Sequence, residues 1–142
     1  MDSIDYQILK YLQNDGRISL KKLSEKVSLT PPAVAERIRR LEADQVIIGY
    51  RAIVDPVKLG KPIKAIINIT LKADKRKDFL GFVNENSCIS ECNHVTGSFS
   101  MTIKAILSSM ADLEMLVGKI QQYGNTQTLL ILSSPIENRN MV

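Results

Sequence analysis

Residues 19–42 read SLKKLSEKVSLTPPAVAERIRRLE, and this stretch decides the fold of the first part of the chain. Leu20, Leu23 and Val27 recur at i, i+3 and i+7, the apolar stripe of a short helix. Ser19 stands where its hydroxyl can accept a free N–H of the first turn. Ser28-Leu29-Thr30 then makes a turn. Thr30 suits the N-cap of a second helix, and Pro31 suits its first position, where a missing N–H costs nothing. Val34, Ile38 and Leu41 fall on one side of that helix. Advancing about 100° per residue leaves Pro32, Ala33, Glu36, Arg37, Arg39 and Arg40 on its remaining surface.

Two short helices, a tight turn and a basic outer face on the second helix form the pattern of a helix-turn-helix. In that motif the second helix enters the DNA major groove. The small Ala33 permits close approach, and arginines reach phosphate oxygens or the acceptor edge of guanine. A charged helix face is more often merely solvated; the helix-turn-helix spacing is what favours DNA here. The candidate contacts are Ser19, Thr30, Pro32, Ala33, Glu36, Arg37, Arg39 and Arg40. Arg37 lies nearest the apolar side and is the one best placed for a structural role.

Working outward, Ile4, Ile8, Leu9 and Leu12 mark an earlier helix, with Gly16 placed to end it in a left-handed conformation. A three-helix unit over residues 1–45 buries little surface for independent stability. Residues 46–62 change character. VIIGYRAIV is β-branched and reads as a connecting strand, broken by Asp55-Pro56 and Gly60-Lys61-Pro62.

Residues 63–142 alternate. Ile63, Ala65, Ile67, Ile69 and Leu71 share one strand face, and Phe79, Phe82 and Val83 mark a short helix. Ile89, Glu91, Asn93 and Val95 alternate with Ser90, Cys92 and His94 along a second strand. Phe99, Met101, Ile103 and Ala105 define a third. Leu113, Leu116, Val117 and Ile120 stripe a helix closed by Gly124, and residues 126–133 form the last strand. The order β-α-β-β-α-β is ferredoxin-like. The fold class is therefore α+β. Two helices cover one sheet face, and Ile66, Leu129 and Ile131 place apolar groups on the other, which favours self-association.

ILKYLQNDGRIS, LKKLSEKVSLTPPAVAERIRRLE, QVIIGYRAIVD and HVTGSFSM, in this order and spacing, resemble the leucine-responsive regulator (Lrp/AsnC, feast/famine) family along essentially the whole chain. The resemblance implies a winged-type helix-turn-helix domain, a linker strand that helps pair subunits, and an oligomerisation domain. It implies double-stranded DNA as partner and a homo-oligomer, a dimer or a higher even-numbered assembly such as an octamer. It also implies an amino acid or other small-molecule effector held at a turn between dimers. The candidate effector residues are Thr96, Gly97, Ser98, Phe99 and Ser100, with Thr126, Gln127 and Thr128 from the last strand. The chain departs from the family twice. Gln45 stands where glycine is usual, at a cost of roughly 1 kcal/mol if it turns left-handed. Ser98 and Ser100 replace two aspartates, so no carboxylate awaits a ligand ammonium. Weak or absent amino-acid binding is the expectation.

The remaining observations narrow the function classes. The net charge is +4, and residues 1–61 carry 11 Lys and Arg against 8 Asp and Glu, so the excess lies in the helical part. No apolar run spans a bilayer and no leader pattern opens the chain, which points to the cytoplasm and the nucleoid. Catalytic signals are weak. His94 is the only histidine, Cys88 and Cys92 have no second pair of metal ligands, and no Walker, GxGxxG or HExxH motif occurs. No metal, cofactor or enzymatic activity is expected. Two alternatives stand beside a sequence-specific regulator: a DNA-packing protein of low sequence preference, and a siroheme-decarboxylase-like enzyme. The enzyme would carry more histidines and lose the basic helix face.

Overall fold

The computed structural model describes all residues, 1–142. The elements run α1 (Ser3–Asn14), α2 (Leu20–Val27), α3 (Pro31–Ala43), β1 (Ile63–Leu71), α4 (Arg76–Glu85), β2 (Ile89–His94), β3 (Met101–Leu107), α5 (Met110–Ile120) and β4 (Gly124–Leu130). They divide into two units, Met1–Ile53 with Ile136–Val142, and Val54–Pro135.

In the first unit, Ile8, Leu9, Leu23, Val27, Val34 and Leu41 are buried together, with Ile4, Leu12 and Ile38 packed alongside. Each fully buried aliphatic side chain contributes about 1.5–3 kcal/mol. The stripe of α2 is rotated from the expected one. Leu20 is exposed and Ser24 is buried in its place, its hydroxyl donating to the Lys21 carbonyl at 2.7 Å. Leu20 opens the helix at the rim, whereas Ser24 lies one turn deeper, beside Leu23 and Val27.

The expected glycine stop of α1 does not form. The helix ends on Asp15, whose N–H donates to Tyr11, and Gly16 has no positive φ. The left-handed residues stand after the other two helices. Ser28 has φ 55° after α2, and Leu29 N–H donates to the Ser24 carbonyl at 3.1 Å. Gln45 has φ 55° after α3. Residues 46–55, expected as a linker strand, pair with no strand of the chain, so neither that strand nor a wing is present within it. A strand needs a partner for its N–H and C=O groups, and this segment pairs with none in the chain.

The second unit is a four-stranded antiparallel sheet in the order β2-β3-β1-β4. This is the ferredoxin-like order the pattern predicts. Ala65, Ile67 and Ile69 of β1 and Met101, Ile103, Ala105 and Leu107 of β3 face α4 and α5, and they bury Phe79, Leu113, Leu116 and Ile120. The other face mixes polar and apolar groups, among them Ile66, Asn68, Thr102 and Ile106.

Two local departures follow from steric detail. A bulge between Ile89 and Glu91 interrupts the alternation of β2, so Ile89 and Cys92 both pack on the core. Gly124 does not close α5, which ends at Ile120; it begins β4 opposite Leu71. A Cβ there would lie 2.1 Å from the Thr70 carbonyl oxygen, so the strands meet only because the side chain is absent.

Candidate nucleic-acid interface

The helix-turn-helix is set by local chemistry. The Ser19 hydroxyl caps α2 by accepting Lys22 N–H at 3.2 Å. Thr30 starts α3 with extended backbone but makes no side-chain cap bond. Pro31 and Pro32 have no N–H, which leaves Ala33 as the first amide a cap could use; the Thr30 hydroxyl does not take it and is exposed at the head of the helix. Val34 and Leu41 are buried, which turns Pro32, Glu36, Arg39 and Arg40 outward; Ala33 is partly covered.

The arginines of α3 are not equivalent. Arg37 turns inward. Its Nη1 donates to Asp2 Oδ2 at 2.8 Å and to Asp5 Oδ1 at 2.7 Å. Asp5 is fully buried. Its Oδ2 also accepts the Asp2 N–H at 2.9 Å, while Asp2 Oδ1 accepts the Ile4 and Asp5 N–H groups, completing a capping box. Arg40, far more exposed, donates from Nη2 to both Asp5 oxygens at 3.3 and 3.1 Å. Arg39 pairs with Glu36 at 2.7 Å on the open surface. Burial by itself would raise the Asp5 carboxyl, but the Asp2 amide and Arg37 outweigh it and hold its pKa below the ordinary carboxylate value. Asp2 is lowered too, first by the Asp5 backbone bond and then by Arg37. Arg37 is raised in turn by hydrogen bonds to Asp2 and Asp5.

At one end of the sheet in the second unit, the 96–100 turn closes on β1. Gly97 takes φ 105°, and the Ser98 carbonyl accepts the Thr70 hydroxyl at 3.1 Å. Ser100 is fully engaged: its hydroxyl accepts Leu71 N–H at 2.8 Å and donates to the Ile69 carbonyl at 3.1 Å. Thr96 and the Ser98 side chain are exposed, and Phe99 is half-buried. On β4, Thr126 and Thr128 lie opposite Ile69 and Ile67, on the helix side. Gln127 lies on the other face, its Oε1 accepting from Asn68 Nδ2 at 3.4 Å. The candidate effector residues therefore share one end of the sheet but divide between its faces. His94 lies beside Arg76, whose Nη1 is 3.3 Å from His94 Nε2; arginine has no acceptor, so the imidazole accepts.

Residues 1–42 match the family model of the AsnC-type helix-turn-helix domain, and residues 64–141 match that of the Lrp/AsnC ligand binding domain. The chain belongs to the Lrp/AsnC family.

Family relatives cover nearly its full length. The chain is 36% identical over 139 residues to the leucine-responsive regulatory protein of Haemophilus influenzae, covering 93% of this chain and 84% of that one. It is 32% identical over 140 residues to the HTH-type transcriptional regulator LrpC of Bacillus subtilis, covering 99% and 96%. The solved LrpC structure superposes with a TM-score of 0.92 at 32% identity, over 98% of this chain and 99% of that chain. The fold is also that of a Neisseria meningitidis transcriptional regulator solved with L-Met, with a TM-score of 0.94 at 24% identity over 100% and 96%. This Lrp/AsnC chain is a helix-turn-helix transcriptional regulator, and no helix in it is long and apolar enough to cross a membrane.

Sequence reading missed the part played by Asp2 and Asp5. The signal was present: acids at the N-cap and three residues on, ahead of an apolar stripe, are the box pattern. That the same acids would hold arginines more than 30 residues away was not legible.

Proposed function

We propose that this regulator reads duplex DNA with α3 in the major groove, as a homo-oligomer acting in the cytoplasm on the nucleoid. The observation that carries the reading is the outer face of α3. Thr30, Pro32, Glu36, Arg39 and Arg40 lie exposed there on a helix anchored by Val34 and Leu41. Ser19 and Ala33 flank the approach, and Arg37 serves from within by holding the helix to α1.

Self-association is supported by apolar groups left in water. Ile48 is 93% exposed, Ile53 74% and Leu132 94%, and residues 46–55 have no strand partner within the chain. A second copy supplies a partner of matching pattern. Two recognition helices would then meet half-sites about 34–36 Å apart. A packing protein of low sequence preference fits less well, because the cations of α3 are paired with acids rather than left free for any phosphate.

The second domain takes at most a weakly held small molecule at the 96–100 turn, since the turn supplies hydroxyls and carbonyls but no carboxylate. DNA binding is expected to need no ligand.

Mapping of bound genomic DNA, with and without amino acids, tests the reading. Discrete sites carrying a shared inverted repeat are expected. Uniform coverage would overturn sequence-specific regulation. Sedimentation is expected to give an even multiple of the 15.9 kDa chain; a stable monomer at micromolar concentration would overturn the assembly.

A further inference from the structure

We infer that Asp5 is a specificity-determining positioning residue, holding Arg37 and Arg40 of the recognition helix so that only a well-matched duplex engages them fully. The inference rests on α3 being the DNA-reading helix.

Asp5 touches no outside surface, yet both its oxygens face the helix that does. It binds one inward arginine, Arg37, and one outward arginine, Arg40, whose side chain is 55% exposed. Arg40 is held through Nη2 alone, and a guanidinium carries five N–H donors. The remaining donors are therefore presented from a tethered, partly pre-ordered group. This is the arrangement that favours a geometrically exact acceptor over a merely nearby one.

The charge balance points the same way. Asp2 and Asp5 match Arg37 and Arg40, and Glu36 matches Arg39. These six side chains sum to zero charge. Indiscriminate attraction to phosphate depends on uncompensated cations, whose counterions are released on binding. On this face that attraction is held down by acids belonging to the protein itself. A matched site repays the exchange of partners through base contacts; an unmatched one offers only phosphates.

The Asp5→Asn variant tests this directly, because asparagine keeps an oxygen for the Asp2 amide while it removes the charge and puts an amide NH2, which cannot accept, where an oxygen faced Arg37. Binding is measured by fluorescence anisotropy across a salt series. The probes are a duplex selected from random DNA by the wild-type protein and a scrambled duplex of the same composition. Asp5→Asn is expected to raise affinity for the scrambled duplex by about 3- to 10-fold and to steepen its log–log salt slope by about one. The ratio of selected to scrambled affinity should fall by about tenfold or more. A residue that only maintained the fold would lower both affinities together. An unchanged ratio, or weaker binding to the scrambled duplex, overturns the inference.

Arg40→Lys decides the case if Asp5→Asn does not fold. Its ammonium keeps the charge but lacks the planar fork needed to hold Asp5 and DNA together. The ratio should fall because affinity for the selected duplex drops more than affinity for the scrambled one, and an unchanged ratio overturns the inference. Arg39→Ala separates the premise. If it weakens binding while the ratio in the other two variants stays at wild type, only the role of Asp5 falls. If all three variants bind as wild type, the assignment of α3 falls with it.

Discussion

The Val46 amide donates to the Leu41 carbonyl at 2.9 Å, reaching back over Gln45 to close the end of α3. The Gln45 amide donates to the Glu42 carbonyl at 3.0 Å in the same turn. This paired closure requires a left-handed residue between the helix and its return, and Gln45 supplies it at φ 55°. Gln45→Gly is therefore expected to stabilise the first unit by about 1 kcal/mol, shifting its melting temperature up by about 4–8 °C. Thermal unfolding followed by circular dichroism checks it. A lower melting temperature would mean that the glutamine side chain makes up for its backbone strain.

Neighbouring arginines on one helix should differ in what they do for stability. Removing one partner of a buried ion pair costs about 3–5 kcal/mol. Arg37 keeps 24% of its side chain in water, so Arg37→Ala should cost less, about 2 kcal/mol. Arg39 meets Glu36 on the open surface, so Arg39→Ala should change stability by no more than about 0.5 kcal/mol. Urea unfolding of the two variants gives the comparison, and equal losses would contradict the inward placement of Arg37.

The same cluster sets an acid limit. Asp2 and Asp5 both have folded pKa values below their unfolded ones. A carboxyl of this kind binds its proton more weakly when folded. Its stabilising contribution is complete above the unfolded value, about 3.9, and is lost as the pH falls through the folded value. Stability from these groups should be level between pH 7 and pH 5 and decline below about pH 4. The decline should be shallower in Arg37→Gln, which has less to lose. A wild-type curve that fell mainly between pH 7 and pH 5 would place the sensitive group elsewhere.

At the 96–100 turn the two serines should respond differently to a restored acid. The Ser98 side chain is exposed, so Ser98→Asp adds a carboxylate without breaking a bond of the fold. It should strengthen binding of a free amino acid by about 10- to 100-fold if the turn holds the ammonium, the range of one charge-assisted hydrogen bond. Ser100 donates to the Ile69 carbonyl, and an ionised aspartate cannot. Ser100→Asp should therefore destabilise the second unit whether or not ligand binds. Calorimetry across the twenty amino acids, paired with melting curves, separates the two effects. No gain in Ser98→Asp would move the ligand site away from this turn.

Helix positions, the succession of helices and strands in the second unit, and the helix-turn-helix were determined by the sequence itself, because they follow from periodicities of 3.6 and 2 that each residue satisfies with near neighbours. Ala65, Ile67 and Ile69 announced their common face, and Pro31 announced the start of α3. The strained turn at Gln45 was also legible, through a resemblance that expects glycine there. Other features were decided only by the tertiary structure. The bulge after Ile89 depends on the register that β3 imposes, and Gly124 depends on where Thr70 comes to lie. The inward turn of Arg37 depends on α1 and α3 meeting, which brings Asp5 within 2.7 Å of a guanidinium 32 residues away. A charged side chain carries no mark of whether it will face water, DNA or a buried acid. That choice is made by which carboxylate the packed helices place beside it.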